Sequence, residues 1–230
     1  MFDFAYFLDT ASRLAVGIPI TFFIALFSFA VGLVLGLILA FIRLYKVPLL
    51  NPLALTYISF FRGTPLLVQL FMFYYGIPIF LKSCGFELDF ALIDAIYYAL
   101  VIFSLYASAY LAEIMRSALL AVDKGQREAA LSLGMNAAQA LKRIILPQAF
   151  MITLPNLLNF FIIQIKNTAL ASIITVPDLM GLADIESGRS SKFLEVYLMA
   201  ALMYWAMCVF LEWVFFKFET RFKKFRKNYA

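Results

Sequence analysis

Thr21-Phe-Phe-Ile-Ala-Leu-Phe-Ser-Phe-Ala-Val-Gly-Leu-Val-Leu-Gly-Leu-Ile-Leu-Ala-Phe-Ile42 runs for twenty-two residues without a charged side chain. As an α-helix it measures about 33 Å, enough to cross a hydrocarbon core of about 30 Å. It belongs to an apolar stretch from about Leu14 to Ile42, the first of five such stretches. The others run from about Leu55 to Leu81, Leu92 to Ile114, Phe150 to Val176 and Val196 to Phe216. The pattern predicts an all-α, polytopic membrane protein with about five spans and one domain over residues 1–230. The first stretch does not read as a cleaved signal peptide, because its flank is acidic and no small-residue cleavage site follows.

Composition agrees. The chain has 230 residues, 64% hydrophobic and 14% charged, against about half apolar and about a quarter charged in an ordinary soluble domain. One aqueous core could not hide that much apolar surface, so lipid must cover part of it. The net charge of +5 does not point to nucleic acid, because the basic residues gather at the ends of apolar segments.

Their distribution sets an expected orientation. With the N-terminus outside, the inner segments hold Arg43, Lys46, Arg62, Arg116, Lys124, Arg127, Lys142, Arg143 and six basic residues of the tail from Lys217 to Lys227. The outer segments hold Arg13, Lys82, Arg189 and Lys192. Fourteen against four places the N-terminus outside and the C-terminus in the cytoplasm. Asp3, Asp9, Glu87, Asp89, Asp178, Asp184, Glu186 and Glu195 then lie outside. Within the first span, Ser28, Gly32, Gly36 and Ala40 form a four-residue ridge of small side chains that lets another helix approach closely.

Several chemistries are excluded or disfavoured. There is no histidine, so a Ser–His dyad is impossible. Cys84 and Cys208 are both flanked by apolar residues and form neither a disulfide framework nor a zinc site. Ser172 and Lys166 are six residues apart, on different faces of a helix. The ten glycines include no Gly-x-x-x-x-Gly-Lys-Ser/Thr, so the chain has no phosphate-cradling loop of its own. No catalytic or metal-binding residue is expected. An intramembrane enzyme and a stand-alone ion-coupled transporter stay open as alternatives; the latter would want internal repeats and acids within its spans.

The segment between spans three and four, 115–149, reads as two short helices. Gly134 suits a left-handed end to the first, and Asn136 with Gln139 makes a capping box for the second. Pro147 and Pro155 are expected to close that helix and begin the next span. Glu128-Ala129-Ala130, Gly134 six residues after Glu128, and Ile145-Leu146-Pro147 strongly resemble the EAA loop of permeases from binding-protein-dependent ABC importers. The resemblance extends through Phe60-Phe-Arg-Gly-Thr-Pro-Leu-Leu-Val-Gln69, Tyr110-Leu-Ala-Glu-Ile-Met-Arg116 and Lys166-Asn-Thr-Ala-Leu170 to the group that carries polar amino acids. Where that group often has Ser, this chain has Ala169.

The resemblance implies a type I ABC importer permease in the bacterial inner membrane. Glu128, Ala129, Ala130 and Gly134 would couple it to an ATPase dimer, which would bind the ATP and Mg that this chain does not. It also implies a solute-binding protein outside and a second permease subunit, identical or paired. The cargo would be glutamine, glutamate, arginine, histidine or cystine.

Candidate substrate contacts come from polar groups inside spans. Lys166 is an ionisable group where such groups are costly, and Asn156, Asn159 and Asn167 are expected on its side of the helix. Gly63 and Pro65 break span two, and Arg62, Thr64 and Gln69 flank the break. Arg62 with Lys166 would suit a carboxylate, and Gln69 a polar side chain. Lys166 also fits a side chain that snorkels or pairs with a neighbouring acid, and Arg62 an interface anchor. Glu113 and Arg116 are expected to pair locally, whereas Asp184 and Glu186 read best as solvated loop charges.

Overall fold

A computed structural model describes residues 2–85 and 93–227, with 222–227 described as backbone only. Glu87, Asp89 and the expected start of span three at Leu92 lie outside the described residues. Every regular element among the described residues is helical. We number them α1 (Phe4–Ala15), α2 (Ile18–Leu44), α3 (Leu50–Gly63), α4 (Leu66–Ser83), α5 (Ala95–Ala121), α6 (Lys124–Ser132), α7 (Ala137–Ile174), α8 (Leu179–Ser190) and α9 (Phe193–Lys227). Five of them, α2, α4, α5, α7 and α9, are long and apolar enough to cross a membrane.

The small ridge of α2 sets the tightest contact. Ser28, Gly32, Gly36 and Ala40 are all buried, and α2 lies along α5 for much of its length. A Cβ on Gly32 would come 2.7 Å from the Cβ of Ala107, closer than packed carbons allow. Ile24 packs with Leu100, Phe103 and Ile174 at one end of the bundle. Phe41 and Leu44 meet Leu119, Val122 and Leu146 at the other. The helices α2 and α5 therefore run parallel to each other, and α7 runs antiparallel to both. A buried polar contact ties three of the helices together: the Gln164 side-chain nitrogen donates to Ser28 Oγ at 2.9 Å and to the Phe103 carbonyl at 3.3 Å.

The expected second span is two helices. Thr64 and Pro65 are extended between α3 and α4, so the crossing helix begins at Leu66 rather than Leu55. Pro147 does not end a helix as expected. The chain is continuous from Ala137 through a π-turn at Leu141–Ile145 into Leu146–Asn167, with Pro155 inside. The wider turn just before Pro147 accommodates a ring that lacks an N–H and crowds the preceding turn. A second π-turn, Met72–Gly76, stands in the same place before Pro78.

Two helices go beyond the sequence expectation. The short α1 precedes the first span, and α8 connects the 3-10 end of α7 to α9. They cap the end of the bundle opposite α6. There Asp178 caps α8 and is fully buried, accepting from the Gly181 N–H at 2.9 Å and from Tyr204 Oη at 3.2 Å. The hydroxyls of Thr21 and Thr168 lie 3.4 Å from the same carboxylate. Burial holds this carboxyl above its ordinary pKa, and these donors offset part of that rise.

Candidate functional site

The break between α3 and α4 is built by Gln69. Its amide nitrogen donates to the carbonyls of Phe61 at 3.0 Å and Thr64 at 3.1 Å and to Thr64 Oγ1 at 2.7 Å. Ending α3 at Gly63 leaves carbonyls without helical partners, and Gln69 supplies the donors. Gln69 is 1% exposed, and its amide nitrogen is spent on holding the kink. Thr64 also donates to the Phe60 carbonyl at 2.8 Å and stays half-buried.

Arg62, in the last turn of α3, is exposed and stands 5.4 Å from the ring centre of Tyr110 on α5. That ring is 4.6 Å from Tyr106 and stacks on Phe160 of α7 at 5.7 Å. Asn167 sits beside Tyr106, with a buried amide nitrogen that has no partner among the described residues. Arg62, Tyr110, Tyr106 and Asn167 thus form one row across α3, α5 and α7. A cation over an aromatic face and an unspent amide donor are groups suited to a zwitterionic solute.

Lys166 turns the other way. It and Glu212 of α9 both lie close to Cys208. Asn156, Asn159, Ile163 and Lys166 are exposed or partly exposed along one line of α7, whereas Asn167 is half-buried with its amide nitrogen inside the bundle. The expected stripe therefore holds for Asn156, Asn159 and Lys166 and loses Asn167. Within one chain, Arg62 and Lys166 do not form a single carboxylate clamp. Adjacent positions on a helix diverge by about 100°, and that rotation separates Lys166 from Asn167.

Near the α6 end of the bundle, Glu113 accepts from Arg116 at 2.8 Å, as the spacing predicts, and also pairs with Arg43 of α2. Glu186, expected to be a solvated charge, is instead buried and bonded to Tyr6 and Arg13 of α1. Asp184 stays exposed and accepts from Tyr197. Glu212 and the tyrosine row lie outside what the sequence pattern singles out. Glu212 carries a signal, an acid within the fifth apolar stretch, whereas single tyrosines in apolar helices carry none.

The loop forms as its residues dictate. Asp123 caps α6 through the Gly125 N–H at 2.7 Å. Gly134 takes φ +83°, and the Met135 N–H returns to the Ala130 carbonyl at 3.1 Å while Gly134 N–H returns to Leu131. That pair of bonds is a Schellman ending, which needs a left-handed residue. Asn136 and Gln139 cap the next helix reciprocally. Ala130 is buried against the bundle; Glu128, Ala129, Leu131 and Leu133 are exposed, Leu133 at 81%. The result is a projecting helical turn with apolar tips.

Residues 32–224 match the family model described as the binding-protein-dependent transport system inner membrane component. The chain belongs to this family of ABC importer permeases. A probable amino-acid ABC transporter permease protein, PatM of Vibrio harveyi, is 43% identical over 97% of both chains. The L-cystine transport system permease protein TcyL of Bacillus subtilis is 42% identical over 97% of this chain and 92% of its own. The permease superposes on a chain from a crystal structure of an amino acid ABC transporter with histidines, with TM-score 0.86 and 33% identity over 96% of this chain and 99% of that one. A chain of an inward-facing MetNI methionine transporter shares the fold, with TM-score 0.73 at 18% identity over 91% and 95%. The permease is thus an inner-membrane subunit of an amino-acid ABC transporter.

Proposed function

We propose that the permease forms half of the pathway by which an ATP-driven importer moves a polar L-amino acid of the glutamine/glutamate, arginine, histidine or cystine class. The carrying observation is the line Asn156, Asn159 and Lys166 on the outer side of a membrane-crossing helix. A lysine and two asparagines facing hydrocarbon are costly, so such groups face a partner or a water-filled path. Five crossing helices are too few to enclose a pathway, and a second permease subunit, identical or paired, completes it. The N-terminus lies outside and the C-terminus in the cytoplasm.

In this reading α6 and its Schellman turn, within the loop 115–149, seat in an ATPase. Glu128, Ala129, Ala130 and Gly134 shape and position that turn. The ATPase pair binds ATP and Mg, and this chain holds no cofactor. A loaded solute-binding protein docks on the opposite face, the ATPases close, and the coupling turns drive the two subunits between outward and inward openings. Arg62 and Asn167, on the aromatic row, meet the solute on one side of the path, with Thr64 at the kink beside them. Lys166 meets it, or the second subunit, on the other side.

The test is uptake by the complete transporter in proteoliposomes. Lys166→Ala is expected to lower uptake by about tenfold or more, the scale of one lost charge-assisted contact, with ATPase co-purification unchanged. Unchanged uptake would remove Lys166 from the pathway while leaving the permease assignment intact. Calorimetry on the solute-binding protein that serves the transporter identifies the amino acid.

A further inference from the structure

The helix α1 is too short to cross a membrane: its 12 residues measure about 18 Å. Its surface divides into three arcs. Phe7, Thr10 and Leu14 are buried, with Phe7 and Leu14 packed among Leu179, Ala183 and Val196 of α8 and α9. A second arc is charged and internally paired. Arg13 bridges Asp9 and Glu186, Tyr6 donates to Glu186, and Lys192 pairs with the capping Asp3 at 2.6 Å.

The third arc carries Phe4, Leu8, Ala15 and Ser12, which fall within about 80° of one another. Phe4 is 64% exposed and Leu8 54%, and the Ser12 hydroxyl is already bonded to the Asp9 carbonyl at 2.9 Å. This arc bears no charge. It adjoins the start of α9, where Leu194, Leu198, Leu202 and Trp205 recur at helical spacing and are exposed. Those residues belong to a membrane-crossing helix and form its lipid-facing stripe. The cap of α1 is tied to the start of that helix, where the Asp3 N–H donates to Glu195 at 2.9 Å and the Asp3 carboxylate pairs with Lys192.

We propose that α1 is an interfacial anchor. It lies along the membrane surface at the end of the bundle opposite the ATPase-coupling turn, with Phe4 and Leu8 in the lipid headgroup–acyl boundary. A helix with an uncharged apolar arc beside a compensated polar arc, too short to span, has the properties of an interfacial helix. The polar arc points to water, and the buried arc grips α8 and α9. The two carboxylates that hold Arg13 lie on α1 itself and on α8, so the anchor is tied directly to the connection between α7 and α9. A solute-binding protein would be expected to meet the charged arc, since the apolar one merges with the lipid belt.

The test uses the whole transporter in nanodiscs of phosphatidylethanolamine and phosphatidylglycerol, with Cys84→Ser and Cys208→Ser. Spin labels are placed at Leu8→Cys, at Phe4→Cys and, for the polar arc, at Asp9→Cys. Collision rates with oxygen, which enriches in lipid, and with a water-soluble nickel chelate report the surroundings. The oxygen-to-nickel ratio at positions 4 and 8 is expected to exceed that at position 9 by about threefold or more, the contrast between an apolar and a polar face of an interfacial helix. Ratios at 4 and 8 equal to that at 9 would show an arc in water. Labels at 4 and 8 shielded from both reagents would show a protein cover. Either result overturns the anchor, and neither bears on the transport reading.

Discussion

Gln69 illustrates how one residue converts a sequence break into a structure. Gly63 and Pro65 predict that the helix stops, and it does. They do not say what satisfies the freed carbonyls, because a side chain reaching back five and eight residues leaves no periodic trace. Replacing it by a residue of similar size without the donor, Gln69→Leu, leaves the Phe61 and Thr64 carbonyls without that partner. A loss of about 1–3 kcal/mol is expected, read as a lower melting temperature of the purified transporter in detergent. Transport per folded molecule should be retained; a selective loss of solute affinity at unchanged stability would place Gln69 on the binding surface. The same contrast holds for Lys166, whose ionisable group is visible in the sequence while its place near Cys208 depends on where α9 packs.

Among the elements, the crossing helices are legible in the sequence because hydrocarbon demands long apolar runs, and the ridge of α2 is legible because small residues at four-residue spacing share one face. What the ridge meets is not. Gly32 faces Ala107, and a Cβ added at Gly32 would lie 2.7 Å from the alanine's own. Gly32→Ala should therefore separate α2 from α5 and cut the yield of folded permease severalfold, the effect of overpacking by about 1–3 kcal/mol. Adding Ala107→Gly should recover part of the loss; the Leu111 side chain at 3.2 Å keeps the recovery partial. No recovery in the double variant would mean that the contact is not the cause.

The helix α1 is hidden in the sequence for the reason that makes it an anchor: it is short, and its charges disguise an apolar arc. Its docking carries a pH dependence. Hydrogen bonds from Lys192 to Asp3 and from Tyr6 to Glu186 hold these carboxyls below their ordinary pKa. A depressed acid stabilises the docked state at neutral pH, and that contribution is lost as pH falls through its folded pKa. Asp178 has the opposite sign, so its protonation in acid favours the fold. Hydrogen exchange over residues 4–15, corrected for intrinsic rate, should thus rise relative to α8 below about pH 4, where carboxylates protonate. Uniform protection of α1 and α8 from about pH 7 to about pH 3, a window that brackets ordinary carboxylate titration, would contradict the pairing.

At the scale of the whole molecule, the proposed coupling to an ATPase rests on the loop between α5 and α7, which holds out apolar side chains. Leu133 is 81% exposed and Leu131 42%, on a turn held by capping bonds at Gly134 and Asn136 rather than by packing. A charge at Leu133 therefore costs the fold little, since a solvated position gains no buried charge. The same charge in a partner's cleft would be desolvated without a counter-ion. Leu133→Asp is expected to leave expression and melting temperature unchanged while reducing ATPase co-purification by about tenfold or more, equivalent to about 1.4 kcal/mol. Deleting 123–141 should abolish association and ATP-driven uptake together. A self-contained carrier or an intramembrane enzyme would keep its activity in both variants, because neither needs the turn. Retained transport with a lost ATPase would thus replace the importer reading, whereas retained ATPase binding with Leu133→Asp would move the contact to the exposed Ala129 and Glu128 face of α6.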